Sequence, residues 1–176
     1  MKRMAALCAL IAIAGCMPIA VQHDYDPSID FSLYQSFAWL PLSPEDSGTS
    51  ANLSGPFFDR RIRKAVAEGL AARDVTFAPE RPDLLVAYQV RYRRHSRVYV
   101  NRDAYHRYAH TVDTTHYREG TLILDLVDPV TGELIWRGWA VSDIHRTSSP
   151  AQEQKQIVEA VEEILKRFPP HQEKRE

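Results

Sequence analysis

"TLILDLVDPVTGELIWRGWAV", residues 121–141, decides how this chain folds. Apolar residues alternate with others on both sides of Pro129-Val130-Thr131-Gly132, as in two strands that each bury one face and are joined by a turn. The four turn residues suit a type I turn closed by a glycine in the left-handed region, a three-residue hairpin loop with a bulge. That turn sets Pro129 opposite Glu133, and hence Asp125 opposite Arg137 and Leu126 opposite Trp136. One face then carries Leu122, Leu124, Leu126, Trp136, Gly138 and Ala140. The other carries an Asp125–Arg137 charge pair flanked by Ile123–Trp139 and Val127–Ile135. A slip of one residue would set Leu124 against Arg137 and lose the pair, so the first register is the one expected.

Working outward, "DLLVAYQVRYR" (83–93) alternates in the same way, with Leu84, Val86, Tyr88, Val90 and Tyr92 on one face and Gln89, Arg91 and Arg93 on the other. "SFAWLP" (36–41) reads as another strand. Two amphipathic helices supply the cover these strands need. The first follows Pro56, with Phe58, Ile62, Ala65, Val66, Gly69 and Leu70 at helical spacing. It ends at "ARDV" (72–75), where Asp74 takes a left-handed cap less comfortably than glycine would. The second starts at Ser149 with Pro150 in the first turn and Gln152 closing a capping box. Its stripe is Ile157, Val158, Val161, Ile164, Leu165 and Phe168, and Pro169-Pro170 stops it. Residues 41–56, rich in Pro, Ser and Gly, read as a loop between a strand and a helix. The expected fold is α+β: one two-layer domain over 23–170, a mostly antiparallel sheet with two helices packed on one face, and a polar tail at 171–176. Helices on one face would leave Ile123, Val127, Ile135, Trp139 and Val141 on the other. That set is too apolar to stay bare, so a loop, a second copy, a partner or a ligand is expected over it.

The start of the chain carries the address. Lys2 and Arg3 precede an uncharged run of 18 residues, Met4 to Val21, which Gly15 and Pro18 interrupt and six alanines weaken. A transmembrane helix usually needs about 20 apolar residues, and a charged start with small residues at the end reads instead as a secretory signal. The small residues run into a cysteine, Ile13-Ala14-Gly15-Cys16. This stretch resembles the lipobox of bacterial lipoproteins, which implies diacylation of the Cys16 thiol, removal of residues 1–15 and a short tether at 16–22. Two acyl chains hold a protein stably where one does not. Met17 follows the cysteine; the sorting rule that comes with this resemblance makes an aspartate there the inner-membrane mark. The expected place is therefore the periplasmic face of the outer membrane, with the inner membrane as the alternative.

Removal of the signal moves the formal charge from −1 to −3 and leaves Cys16 as the sole cysteine. That balance does not point to nucleic acid. Thiol catalysis, disulfides and cysteine-ligated zinc are excluded by the count.

Four segments match a known group in order: "HDYDPSIDFSLYQSFAWLP" (23–41), "RPDLLVAYQV" (81–90), "GTLILDLVDPVTGELIWRGWA" (120–140) and "AVEEILKRFPP" (160–170). They resemble the bacterial lipoprotein family called domain of unknown function 4136. The resemblance covers almost all of the mature chain and implies a lipid-anchored α+β domain. It implies no activity.

The most unusual composition lies at 91–118, "RYRRHSRVYVNRDAYHRYAHTVDTTHYR", with seven Arg against two Asp, four His and five Tyr. His106 and His110 would share a helical face at a spacing metals use, but Arg107 stands where a metalloprotease helix needs Glu. Arginines framed by tyrosines suit a phosphate-rich partner such as lipid headgroups. The plainer reading is two extended strands with a solvated loop. "HDYDPSID" gathers His23, Asp24, Asp26 and Asp30; paired carboxylates could bind calcium or work as acid and base, but Asp-Pro reads more simply as a turn. No catalytic constellation, metal site or cofactor motif emerges. The expected role is a non-enzymatic envelope protein, a binding or assembly accessory. Its partner surface would be Arg94, His95, Arg97, Tyr99, Tyr105, His106 and Tyr108, or the Trp139 face, and its partner an envelope protein, lipid or glycan. Rival readings are a small-ligand or lipid carrier with a pocket between helices and sheet, and a metal-dependent envelope hydrolase.

Overall fold

A computed structural model describes residues 19–41, 55–101, 111–144 and 149–170; for 94–101, 111–118 and 143–144 it describes the backbone. The elements are β1 (Ala20–Tyr25), a single 3-10 turn (Phe31–Leu33), β2 (Ser36–Trp39), α1 (Gly55–Ala71), β3 (Thr76–Phe77), β4 (Leu84–Asn101), β5 (Thr111–Val127), β6 (Leu134–Ile144) and α2 (Pro150–Leu165). The six strands form one sheet in the order β1-β6-β5-β4-β2-β3. β1, β6, β5 and β4 pair antiparallel, while β4, β2 and β3 pair parallel. The fold is α+β with a mostly antiparallel sheet, as the alternation patterns required.

Both helices lie on one face. α2 begins with the expected capping box: the Ser149 hydroxyl accepts from the Gln152 N–H and the Gln152 side chain accepts from the Ser149 N–H. Arg61 pairs with Glu153 near the start of each helix, and Gly69 faces Leu165 near their ends, so the two helices run parallel. Asp74 ends α1 at φ +63°, the left-handed cap that the missing glycine would have taken. The Arg73 side chain then donates to the carbonyls of Gly69 and Phe168, tying the ends of both helices together.

The core is the apolar face of the alternation. Leu84, Val86 and Val90 on β4, Leu122, Leu124 and Leu126 on β5, and Trp136 and Ala140 on β6 are buried against Ile62, Val66 and Leu70 of α1 and Val161, Ile164 and Leu165 of α2. Gly138 sits opposite Leu124 in this layer, beneath the Trp136 ring.

The hairpin departs from its expected register at one place. Leu122–Ala140, Ile123–Trp139, Leu124–Gly138, Asp125–Arg137 and Leu126–Trp136 pair as expected, but Val127 pairs with Leu134 and not with Ile135. The loop is also one residue longer than expected. Asp128, not Pro129, faces Glu133, with the Asp128 N–H donating to the Glu133 carbonyl. Gly132 is left-handed at φ +72°, as its place in the turn demands. The longer loop and the bulge at Ile135 offset one another, so the pairs beyond them keep the expected register. The bulge has a packing consequence: Ile135 and Trp136, adjacent in sequence, are both buried in the one core. Ile135 therefore leaves the opposite face, where plain alternation had placed it. The Asp128 carboxylate accepts from the N–H groups of Val130 and Thr131 and from the Tyr34 hydroxyl, and these bonds hold its pKa below the usual carboxylate range.

A methyl group on Gly138 would overlap the Trp136 ring and stand 2.6 Å from Ile164 Cγ2. Gly138→Ala should therefore cost about 1–3 kcal/mol of stability by overpacking, read as a lower urea midpoint at unchanged slope. A variant as stable as the parent would mean that this contact is loose.

Candidate binding face

The sheet face without helices is built from side chains the strand pleat turns away from the core. The register aligns them in rows: Ala20, Val141, Thr121 and Arg91; then Gln22, Trp139, Ile123 and Gln89; then Asp24, Arg137, Asp125 and Ala87. At the centre the Arg137 guanidinium donates two hydrogen bonds to Asp125, Nε at 2.6 Å and Nη2 at 2.8 Å. The Asp125 side chain is 8% exposed and that of Arg137 is 40% exposed, so the carboxylate is the desolvated partner and the cation its lid. The hydrogen bond to Asp125 raises the Arg137 pKa further above its ordinary value.

Above this pair the face opens into a depression of about 520 Å³ lined by Arg91, Arg93, Glu119, Ile123, Arg137 and Trp139. Ile123 is buried, Trp139 and Val141 are partly buried, and Arg91 and Arg93 are exposed. The expected apolar face is thus narrower than alternation implied: the ion pair interrupts it and Ile135 has gone to the core. Guanidinium groups, one carboxylate and an indole can bind an anionic or planar group. They supply no nucleophile paired with a base.

The anticipated partner residues divide. Trp139 lies on this face opposite Ile123. Arg94, His95, Arg97 and Tyr99 lie on the outer half of β4, opposite Arg118, Tyr117, Thr115 and Asp113. Gln89, in the Trp139 row, is eight positions from Arg97 along β4, about 26 Å at 3.3 Å per residue. One ligand of ordinary size cannot touch both. Tyr105, His106, Tyr108, His110 and the acylation candidate Cys16 lie outside the described residues. Arg91 and Arg93 were legible only as the wet face of a strand, because it is the register that brings them beside Trp139.

"HDYDPSID" forms the end of β1 and the turn that follows it. Asp26 accepts from the N–H and hydroxyl of Ser28, and Asp30 does the same for Ser32 at the start of the 3-10 turn. These bonds lower both pKa values. Asp24 sits in the row of Arg137 at the sheet edge, and the His23 ring stacks on Tyr25. Among the described residues no group of three or more His, Cys, Asp or Glu is placed to hold a metal ion.

A second polar cluster joins α1 to the sheet. The Tyr88 hydroxyl donates to Asp59 at 2.6 Å, Arg63 donates to the same carboxylate, and its guanidinium lies 4.6 Å from the Trp39 ring centre. Burial, followed by the bond to Asp59, pushes the Tyr88 pKa well above the ordinary tyrosine value. The arrangement fixes α1 over β4 and β2.

The family model described as "Domain of unknown function (DUF4136)" matches residues 21–170. No curated protein matches the chain. Among solved structures, a PDZ domain protein from Parabacteroides distasonis is similar at a TM-score of 0.55 and 12% identity, over 90% of this chain and 36% of that one. This chain thus spans about a third of that protein's length. A PelC dodecamer from Paraburkholderia phytofirmans is similar at a TM-score of 0.50 and 13% identity, over 84% of this chain and 95% of that one. Likeness at these identities is likeness of fold.

Arg137→Leu would strand the Asp125 carboxylate under an apolar side chain. It should destabilise the protein by about 2–3 kcal/mol, less than a fully buried pair would lose because the guanidinium is half in water. Asp125→Leu combined with Arg137→Leu should recover most of that loss in urea denaturation; a double variant weaker than Arg137→Leu alone would contradict the lid assignment.

Proposed function

The chain belongs to the DUF4136 family, and we propose that it is a lipid-anchored cell-envelope protein that serves as a non-enzymatic binding or assembly accessory. The observation that carries this reading is the short interval between Ile13-Ala14-Gly15-Cys16 and the folded body. β1 begins at Ala20, so Met17, Pro18 and Ile19 alone separate the acylation candidate from the sheet. The structured part thus starts sooner than the expected tether of residues 16–22. A lipobox placed directly before a folded domain serves as an attachment point, and two acyl chains there make attachment stable. Among the described residues no helix is long and apolar enough to cross a membrane. The proposed place is the periplasmic face of the outer membrane.

The open face favours binding over carriage. Its arginines, Glu119 and Trp139 are accessible from solvent, whereas the space between helices and sheet beside Gly138 is filled by Trp136 and Ile164. A carrier would need a cavity where those side chains now sit.

Cys16→Ser removes the acyl acceptor. The variant should leave the detergent-extracted membrane fraction, and its N-terminal peptide should lack the diacylglyceryl mass that the parent carries. Equal membrane retention of parent and variant, with identical N-terminal masses, would overturn the anchor.

A further inference from the structure

The tether and the longest strands leave the sheet at the same end. Ala20 starts β1 beside Val141, which neighbours Thr121, which neighbours Arg91. β4 and β5 do not stop at that level. They continue together through ten more pairs to Asn101–Thr111, about 33 Å further at 3.3 Å per residue. β6 accompanies them only to the Arg118–Ile144 pair. From His95–Tyr117 outward, β4 and β5 form a two-stranded arm, which is marginally stable without a surface to lie on.

Acylated Cys16 is four residue steps from Ala20, a reach of at most ~14 Å. A membrane holding Cys16 must pass within that distance of Ala20, yet the arm runs more than twice as far in the same direction. With the strands perpendicular to the bilayer, the arm would run about 20 Å into it, carrying Arg97 and Asp113 into hydrocarbon. The strands must therefore lie over.

Charge points the same way. The paired residues 91–101 and 111–121, the arm with the base it grows from, hold Arg91, Arg93, Arg94, Arg97 and Arg118 against Asp113 and Glu119, a net +3, while the mature chain from Cys16 carries −3; everything else sums to −6. Most of that charge sits at the base, so the arm and its base together are the positive pole of an acidic molecule. Arg91 and Arg93, at its base, are exposed to solvent. We propose that the β4–β5 arm lies along the anionic phosphate headgroups of the membrane that holds Cys16, with guanidinium–phosphate contacts fixing the strands close to the membrane plane. This inference rests on the lipid anchor proposed above. It adds the orientation of the body, with the arm against the bilayer and the Pro129–Gly132 turn far from the tether.

Since Cys16 is the sole cysteine of the mature chain and its sulfur bears lipid, one introduced cysteine is the only free thiol. The test uses acylated full-length protein in vesicles of phosphatidylcholine and phosphatidylglycerol carrying a headgroup-attached quencher. A fluorophore is placed on Thr115→Cys, opposite Arg97 in the arm, or on Val130→Cys, in the distant turn. Quenching should be strong at position 115 and weak at 130, and should fall when salt screens the headgroups. It should also fall when Arg93, Arg94 and Arg97 are changed to Gln, with docking weakened about fivefold per arginine. Flotation with the vesicles is scored on the same samples. Protein that floats but shows equal quenching at both positions, or quenching indifferent to salt and to the arginines, overturns the docked arm and leaves the anchor standing. Protein that does not float overturns the anchor, and the arm's docking with it. The salt series needs no variant, so a misfolded triple substitution does not decide the outcome.

Discussion

The packing of the Trp136 ring and of Ile164 against Gly138 is the constraint on which the rest of the structure depends. Trp136 is wholly buried and its ring meets Phe168 edge-on at 5.4 Å between centres. Space for so large a side chain exists because Gly138, two positions along on the same face, has no Cβ, and α2 can settle onto the ring. Trp136 Nε1 is buried with no hydrogen-bond partner among the described residues, a cost of about 1–3 kcal/mol that the ring's apolar burial must offset. The bulge at Ile135 adds a second apolar side chain beside it. Both helices are thereby drawn to one face, and α2 is fixed where β6 passes beneath it.

With the helices all on one side, the opposite face has to be stable in contact with water. Its solution is the Asp125–Arg137 pair. Asp125 could not remain charged and desolvated alone, and the bidentate guanidinium meets it while keeping its own outer edge wet. The pair divides the apolar residues of this face, with Ile123 and Trp139 on one side and Val127 on the other. An uninterrupted greasy surface would invite aggregation; the observed one is polar enough to be exposed. The edge strand beside it, β1, carries Gln22, His23 and Asp24, which discourage pairing with another sheet.

The molecule is unequal along its strands as well as across them. One end holds the tight Asp128-stabilised turn and the Tyr34 hydroxyl that anchors it. The other end holds the start of β1 and the basic extension of β4 and β5. This polarity turns a sequence oddity, the arginine- and tyrosine-rich run at 91–118, into a feature with a direction. Of the residues that enrich it, Arg91, Arg93, Arg94, His95, Arg97, Tyr99, Tyr117 and Arg118 lie on strands that outlast their neighbours in the sheet.

Much of this was legible in the sequence by itself. Alternation, the Asp125–Arg137 match, the Ser149 capping box and the position of Asp74 are local, since each depends on residues a few positions apart or on a pleat of period two. Helix stripes and the faces of β4 and β5 follow from the same periodicities. The bulge at Ile135 could not be read, because a turn one residue longer and a strand with one residue extra leave the same register beyond them. Only the demand of the core for two adjacent apolar side chains selects that combination. Nor could the sequence order the strands. The parallel pairing of β2 with β4, the passage of β1 to the edge beside β6, and hence the placing of the start of β1 and the outer ends of β4 and β5 at one end are set by contacts between residues many positions apart. Packing decides those, and no periodicity records them.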